Sequence, residues 1–544
     1  MSGSRSNRRD LLKILGGVTA GVGLLDSPFG MLLEAMTRGS YGRAIAQAAG
    51  IAPRKWIDLR FDGSPPRWVY DLFLTPYTGG AAYVPNPQVG TKYVATNGRY
   101  TEVEYETVTM NGIKVPWLWQ FTVPAAGGGD RSMAPLLSNM LQIRGVNIGN
   151  PDHSAAQQLH YRPLGAQQTV SALSADPSEA PLAALYFNAS SFQFGSMANK
   201  SPIMLSGANL ISSLLTPFIS QSSASFKTNR ANLKTYMDAA RTAFATELTA
   251  KNPAHAISVD AQRSSQELFE STFGDLAVVW ADLFNKYQDL VTRAFDPTKV
   301  MAGINDLPIG ITTTRSLHYR SNDTLVTNED LRTMVQAATT RANNTMAQSF
   351  ALAEFVMSKN LSDSLTLGMG SIVGLNVNGA TVNHNPDEHF TGRMPSLLLN
   401  TYLARAHAAC LLEFIDRLKS PAIAAWGETV INVSGEFNRR PRADGTGADH
   451  AHEAGSYTLY SGCVSGPKII GNIKATNGEN PYPGTWGFCA PIPTLGGQAL
   501  DAGYASASIA TMLRTPSPLT ARSSVPEEDA NGKIVPKIEL AKIV

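Results

Sequence analysis

The sequence predicts an α/β protein whose mostly parallel central sheet is flanked by helices. Three consecutive segments in the second half of the chain carry this prediction. A Gly-interrupted strand region, Leu365–Val377, precedes an apolar helical stretch at about residues 396–418, and the β-branched run Thr429–Val433 follows it. A strand, a helix and a second strand in this order are typical of a right-handed crossover between parallel strands.

The remaining elements agree with this fold class. Helical spacing continues over about residues 328–359, where Thr327 and Asp330 occupy positions like those of a capping box. Short alternating runs with Pro, Gly, Tyr and Thr over residues 70–135 indicate loops and small β elements. The strands predicted outside the crossover are Arg54–Arg60, Met140–Val146, Ala183–Phe187 and an edge strand, Ile534–Leu540.

A helical insertion is predicted at about residues 226–295. Apolar residues recur at helical spacing over about residues 226–251 and 264–294, and we assign no chemistry to them. No linker-like segment divides the chain after residue 46, so residues 47–544 are predicted to form one α/β domain that carries this insertion.

The N-terminal 46 residues have the pattern of a twin-arginine export signal. The pair Arg8-Arg9 precedes Leu11-Leu12, a lysine and a weakly apolar, Gly-rich run over residues 14–25. Ala44-Ile45-Ala46 offers a small-x-small cleavage site. An ordinary amphipathic first helix and a retained membrane anchor are the alternatives at this terminus.

Removal of the predicted signal changes the charge balance of the chain. The whole chain has 45 Lys and Arg against 43 Asp and Glu, and residues 1–46 hold six of the basic and three of the acidic side chains. The remaining 39 basic and 40 acidic side chains give a net charge near −1. Nothing in this balance favours a nucleic-acid partner.

The sequence also predicts the compartment. No later run of 18 apolar residues occurs, so the mature chain is predicted to have no transmembrane segment and to be periplasmic or secreted. An oxidising compartment would allow Cys463 and Cys489 to pair, whereas Cys410 lies in an apolar helix and is expected to be a buried thiol.

Two segments carry the side chains most suited to bind a metal. Asp449, His450 and His452 emerge from a Gly-rich stretch that follows the strand at Thr429, and Asp387 and His389 lie two residues apart on an extended segment. The carboxyl ends of parallel strands are where an open α/β sheet builds its sites, and Asp with His is a donor set for zinc. The alternative for each pair is a solvated loop histidine.

The longer of these segments resembles a known family signature. Gly435-Glu-Phe-Asn-Arg-Arg-Pro-Arg442, followed by Gly447-Ala-Asp-His450, is similar to the Ser-Glu-Phe-Gly-Arg-Thr-Pro…Asp-His signature of domain-of-unknown-function family 1501. Asn383–His389 looks like the Trp-Asp-Thr-His element of that family, and Ile143-Arg144 with Asp152-His153 is similar to its Ile-Arg-Ser strand and following histidine. Gly435, Asn438 and Arg440 depart from the signature.

The resemblance implies the alkaline phosphatase/sulfatase-like superfamily and a site with two metal ions. In this arrangement Asp387, His389 and His452 surround one ion, and Asp449, His450 and an Asp after the first strand hold the other. Asp62 and Asp71 are the candidates for that Asp. Metal pairs about 3.5–4 Å apart stabilise the attacking and leaving oxygens of phosphoryl or sulfuryl transfer. The expected cofactor is a divalent metal, with zinc first and calcium, magnesium or manganese as alternatives.

Several neighbouring side chains are candidates for supporting roles. Glu436 is expected either to orient a ligand histidine or to pair with Arg439 or Arg442, and His153 is either part of the site or a loop or core histidine. The arginines are candidates for binding an anionic small molecule or polymer, or for structural ion pairs. The arginines in question are Arg144, Arg439, Arg440 and Arg442, and the hydroxyls available as a nucleophile are those of Ser64, Ser154 and Thr169.

Two functions follow from these observations. The first is an exported, metal-dependent hydrolase-like protein that acts on phosphate or sulfate esters. The second is a non-catalytic envelope protein that keeps the fold and works as a binding or assembly component, with another envelope protein as its partner. A flavin or nicotinamide enzyme has little support, because Gly368-x-Gly370 lacks the context of a dinucleotide-binding turn.

Overall fold

The computed structural model describes most of the chain after residue 51. The described residues are 52–71, 91–96, 99–104, 106–180, 182–189, 194–205, 246, 278–296, 318–319, 324–325, 328–370, 375–377, 380–382, 393–441, 448–471, 473–474, 488–519 and 521–537. The predicted export signal, Asp387, His389, Arg442 and most of the predicted helical insertion lie outside these residues.

A mixed, mostly parallel sheet of nine strands forms the centre of the molecule, as the sequence predicts. Its central strands are buried and mostly apolar or β-branched, the composition that suits a sheet covered on both faces. The nine strands are β1 (Lys55–Arg60), β2 (Met140–Asn147), β3 (Ala184–Phe187), β4 (Pro202–Leu205), β5 (Ser364–Gly368), β6 (Thr429–Ser434), β7 (Gly455–Ser461), β8 (Lys468–Ile470) and β9 (Leu500–Asp501).

The strand order across the sheet is β4-β3-β5-β1-β6-β7-β2-β8, and β9 also pairs with β2. In this sheet β7 alone is antiparallel to its neighbours, β6 and β2. The other pairs are parallel, with Asp58 opposite Asn432 where β1 meets β6. The carboxyl ends of β1, β2 and β6 therefore lie at the same edge of the sheet.

Helices cover both faces of this sheet. They are α1 (His153–Tyr161), α2 (Val170–Ala175), α3 (Asn328–Asn344), α4 (Met346–Ser358), α5 (Arg393–Lys419) and α6 (Ala502–Leu513). Trp56 of β1 shares a buried cluster with residues of α1, α2 and α6. Phe61, which follows β1 and points to the other face, contacts His407 of α5 with ring centroids 5.1 Å apart.

Short hairpins and 3-10 turns lie outside the sheet, and the hairpins between residues 92 and 132 agree with the small β elements predicted over residues 70–135. The paired segments are Lys92–Thr96 with Arg99–Glu104, Thr107–Met110 with Ile113–Pro116, Thr122–Pro124 with Asp130–Ser132, His318–Tyr319 with Thr324–Leu325, Leu375–Val377 with Ala380–Val382, Asn438–Pro441 with Ala448–Ala451, Ile473–Lys474 with Phe488–Cys489, and Pro526–Glu528 with Ile534–Pro536. The 3-10 turns are Arg67–Val69, Trp117–Gln120, Ala134–Asn139, Trp426–Glu428 and Pro493–Leu495.

Two details of the elements differ from the sequence prediction. The helix predicted over about residues 328–359 is interrupted at Thr345, whose hydroxyl donates to the carbonyls of Arg341 and Met369 at 2.9 and 3.2 Å. The predicted edge strand at Ile534 instead forms a hairpin with Pro526–Glu528.

The chain divides into two compact units. One comprises residues 1–37 and 206–285, of which the structure describes residue 246 and the helical residues 278–285; within it, Trp280 stacks on Phe284 with ring centroids 6.5 Å apart. The other comprises residues 38–205 and 286–544 and contains the sheet. None of the described helices has the length and apolar character needed to cross a membrane.

The cysteines are buried thiols. Cys410 lies within α5, and burial raises the pKa of its thiol. The sulfur of Cys463 hydrogen-bonds with Ser461 Oγ at 3.0 Å, and the sulfur of Cys489 accepts the Ala454 N–H at 3.2 Å. The Cys463–Cys489 disulfide that the sequence allows is therefore not formed in the structure.

Candidate functional site

Three loops meet at the carboxyl edge of the sheet. They follow β1 (residues 61–66), β2 (residues 148–152) and β6 (residues 435–437), and the last leads into the hairpin Asn438–Pro441/Ala448–Ala451, here called the signature hairpin. Ligands of open α/β sheets bind at this edge, because loops from several parallel strands can converge there. The candidate site consists of side chains from these loops and from the first two turns of α1.

Glu436 is the buried carboxylate of this site. Its side chain is 4 % exposed and hydrogen-bonds through Oε2 with His153 Nδ1 and through Oε1 with the side-chain amide of Gln157. His153 and Gln157 lie one turn apart on α1, so one face of that helix supplies both donors. The N-cap of α1 is Asp152, which accepts the Ala155 N–H at 3.0 Å and fixes where the helix begins.

His450 lies next to His153. It belongs to the second strand of the signature hairpin, and its Nδ1 donates to the Pro151 carbonyl at 2.7 Å. The two imidazole centroids are 4.5 Å apart and their planes meet at 81°. Phe437 packs on both rings, with centroids 4.2 Å from His450 and 5.1 Å from His153. Segments more than 280 residues apart in the sequence thus place two imidazoles side by side.

The hydrogen bonds at Nδ1 determine the tautomer of each neutral ring. A ring that donates from Nδ1 keeps Nε2 as its basic nitrogen, the atom that binds a metal or accepts a proton. In His153 the acceptor is a carboxylate and in His450 it is a backbone carbonyl. These are the two partners that most often orient metal-ligating histidines in proteins. The donor chemistry of this pair therefore fits a divalent metal.

Asp62 adds acidic character to the same edge. Burial, and secondarily the charge of Glu436, raises the pKa of its carboxyl to about 6, although the neighbouring Arg60 acts in the opposite direction. A carboxylate that is desolvated beside a second carboxylate is stabilised by any cation that approaches it. Asp62 has one basic and one acidic neighbour at this edge, Arg60 and Glu436.

Ser64 and Arg439 hold the loop after β1 against the loop after β6. Ser64 has a φ of 51° and is buried, and its Oγ accepts the N–H groups of Glu436 and Phe437 at 2.5 and 2.9 Å. The buried Arg439 guanidinium donates to the carbonyls of Ser64, at 2.9 Å, and Gly63. A Cβ at Gly435 would lie 3.1 Å from Ser64 Oγ, so a side chain at this position would require Ser64 to shift by a few tenths of an ångström.

These contacts bear on the alternatives for the arginines and Glu436. Glu436 hydrogen-bonds with His153 and Gln157, and Arg439 hydrogen-bonds with main-chain carbonyls, whereas Arg442 lies outside the described residues. The Arg144 side chain is buried and its Nε donates to the Gly471 carbonyl at 3.3 Å. Arg144 and Arg439 thus both donate to main-chain carbonyls of loops.

The remaining predicted ligands have different positions. Asp449 and His450 are consecutive residues of a strand, so their side chains project to opposite faces of the signature hairpin. The main chain of His452 accepts the Ile148 N–H at 2.8 Å, and its side chain is half-buried. Asp71 forms a buried ion pair with Arg67, which makes it a structural residue. Asp387 and His389 lie outside the described residues.

The three candidate nucleophiles also differ in their surroundings. Ser64 is buried and its Oγ accepts two N–H groups. Thr169 is the buried N-cap of α2, and its hydroxyl donates to the Phe194 carbonyl at 3.0 Å. Ser154 is exposed and follows His153 in α1. Of the three hydroxyls, only that of Ser154 is open to solvent beside the histidines.

A buried polar network inside the sheet, which the sequence did not predict, lies next to this edge. Asp58 Oδ1 accepts from Asn432 Nδ2 at 2.8 Å and from Ser434 Oγ at 2.9 Å, and the Tyr161 hydroxyl donates to Ser434 Oγ. Arg60 lies over the Tyr161 ring, 4.0 Å from its centroid, and 3.7 Å from Asp58. Burial raises the pKa of Asp58. The sequence signal for this network was the presence of two charged residues, Asp58 and Arg60, at alternate positions of an otherwise largely apolar strand.

Within the described residues, no group of three or more His, Cys, Asp and Glu side chains is arranged to hold a metal ion. Those residues supply a pair of imidazoles, and the predicted ligands Asp387 and His389 lie outside them. Comparisons with protein-family models, curated proteins and solved structures found no match to this chain.

Proposed function

We propose that this chain is an exported, metal-dependent hydrolase-like protein of the alkaline phosphatase-like fold that acts on phosphate or sulfate esters. The observation that carries the proposal is the His153–His450 pair, in which each Nδ1 is bonded to an oriented acceptor and each Nε2 is the basic nitrogen. The mostly parallel sheet, with the pair at its carboxyl edge, supports this assignment.

The proposed metal ligands come from the chain's own donors at this edge. His153 and His450 would bind through Nε2, and the family resemblance implies Asp62, Asp387 and His389 as further ligands. In the described residues Asp62 is not arranged with the two imidazoles as a metal site, and Asp387 and His389 lie outside those residues. Imidazole-rich sets suit zinc, whereas added carboxylates favour calcium, magnesium or manganese. When bound, such an ion polarises the ester oxygens and neutralises charge that develops on them.

The remaining roles are structural support for these ligands. Glu436 holds the proton of His153 at Nδ1, and the Pro151 carbonyl does the same for His450. Ser64 fixes the main chain on which Glu436 sits, and Arg439 fixes the loop that leads from Asp62. The twin-arginine pattern of residues 8–13 supports action in the periplasm or outside the cell.

Metal analysis and an ester screen test this proposal. Purified protein is analysed for divalent metals and assayed with phosphate and sulfate monoesters and diesters, with zinc, calcium, magnesium or manganese added. We expect stoichiometric metal and metal-dependent turnover, both lost in His450→Ala and retained in Gln158→Ala, a control for an exposed residue of α1. Wild-type protein without metal and without turnover would rule the proposal out.

A non-catalytic envelope binding or assembly protein is the second candidate. The burial of Ser64 and Thr169 favours it, because two of the three candidate nucleophiles are inaccessible in the structure. The same assay separates the two functions. Stoichiometric metal without turnover of any ester would favour the binding protein, and turnover would exclude it.

A further inference from the structure

Two side chains hydrogen-bond with the Glu436 carboxylate: His153, and also Gln157. Glu436 is 4 % exposed, so water cannot readily replace a lost hydrogen-bond partner at its oxygens. Oε2 is bonded with His153 Nδ1 and Oε1 with Gln157 Nε2. A carboxylate held at both oxygens has one orientation available to it, whereas a carboxylate held at one oxygen can rotate about its last bond.

The spacing on α1 makes this arrangement possible. His153 and Gln157 are four residues apart and project from the same face of the helix, towards the chain that follows β6. Tyr161, four residues further, bonds with Ser434 in the same stretch of chain. One helical stripe therefore contacts Ser434 and Glu436, and Gln157 occupies its middle position.

We propose that Gln157 is a positioning residue for the candidate metal centre. It acts through Glu436, whose fixed carboxylate keeps the proton of His153 on Nδ1 and directs the basic Nε2 away from Glu436. The expected effect of Gln157 on metal affinity rests on the proposed metal-binding function, whereas its expected effect on the His153 tautomer requires no metal. Gln157 contacts neither metal nor substrate in this account.

The test compares Gln157→Met with Gln158→Met. Methionine keeps the length and helix propensity of glutamine and removes the amide donor. Gln158 is the matched control, because it lies next to Gln157 on α1 and is exposed. Helicity and thermal unfolding of both variants establish that they fold.

Two readouts distinguish failure of this inference from failure of the proposed function. The first is the ¹⁵N spectrum of histidine-labelled, metal-free protein, with His153 assigned through His153→Gln. We expect His153 to be predominantly the Nδ1–H tautomer in wild type and in Gln158→Met, and a mixture of tautomers in Gln157→Met. The second is zinc affinity, which we expect to fall about tenfold in Gln157→Met alone, as for other residues that orient a metal ligand.

An unchanged His153 tautomer in Gln157→Met would overturn the positioning role, whatever the protein does with zinc. A tautomer shift in a protein whose wild type binds no zinc would support the positioning role and contradict the proposed metal function. Wild-type zinc binding that Gln157→Met leaves unaltered would contradict the effect on the metal site.

Discussion

The imidazole rings of His153 and His450 lie 4.5 Å apart at the carboxyl edge of the central sheet. Each ring is oriented through Nδ1, one by the Glu436 carboxylate and the other by the Pro151 carbonyl. A buried carboxylate, that of Glu436, orients a histidine, His153, that is 36 % exposed. Such an arrangement costs desolvation energy and is typical of a site that binds something through the oriented ring.

The Glu436–His153 contact can be tested by Glu436→Gln. In glutamine an NH2 group replaces one of the two carboxylate oxygens, so either His153 or Gln157 would face a donor in place of its present acceptor. We expect zinc affinity to fall about 10–100-fold, as measured in a competition titration. Glu527→Gln, at an exposed glutamate of the C-terminal hairpin, is the control. Equal affinity of wild type and Glu436→Gln would show that this contact does not support a metal.

Ser64 is expected to be structural. In Ser64→Ala the buried N–H groups of Glu436 and Phe437 lose their acceptor, which we expect to cost about 2–4 kcal/mol in the free energy of unfolding. Urea denaturation measures this loss. A variant with wild-type stability that has lost all ester hydrolysis would instead identify Ser64 as the nucleophile.

Asp71 is the second candidate for the Asp after the first strand, and its ion pair with Arg67 makes a distinct prediction. Asp71→Ala leaves the buried Arg67 guanidinium without this carboxylate, and we expect a loss of about 3–5 kcal/mol in stability. The metal content of the folded protein should not change. Loss of metal at unchanged stability would assign Asp71 to the metal site.

The buried His407 is expected to make the free energy of unfolding depend on pH. Burial, and secondarily the charge of Arg67, lowers its pKa to about 3 from the usual 6.5. As the pH falls, His407 therefore takes up its proton in the unfolded chain before it does so in the folded protein. The stability contributed by neutral His407 is present above pH 6.5 and is lost as the pH falls towards 3. The free energy of unfolding decreases by up to about 1.4 kcal/mol per pH unit in this range.

The variant His407→Phe tests this dependence. Phenylalanine can keep the ring contacts with Phe61 and Tyr70 and has no titratable group. Unfolding free energies measured between pH 4 and pH 7 should fall less steeply in His407→Phe than in wild type. Parallel pH profiles of the two proteins would show that His407 does not contribute to the acid sensitivity.

The sheet could be predicted from the sequence because its strands are local patterns. Runs such as Thr429–Val433 are apolar and β-branched over the length of a strand, and the structure has a strand at Thr429–Ser434. The break at Thr345 was not predictable, because it depends on a hydrogen bond with Met369, 24 residues away.

The site was predictable only in part. The sequence predicted His153, Glu436 and His450 as site residues, and it indicated that Glu436 could orient a histidine. The sequence also indicated that Asp449 and His450 hold one ion together, because the Gly-rich segment before them gave no sign that Ala448–Ala451 pairs with Asn438–Pro441 in a regular strand. The contacts of Gln157 and Asp58 depend on partners hundreds of residues away, which no local pattern encodes.

We propose that His153 and His450 bind a divalent metal at the carboxyl edge of the sheet. The most direct measurement is a crystal structure of the zinc-soaked protein with anomalous data collected at the zinc edge. We expect one or two anomalous peaks, with Nε2 of both histidines about 2.0–2.1 Å from zinc. A well-ordered site with no anomalous peak near either imidazole would contradict it.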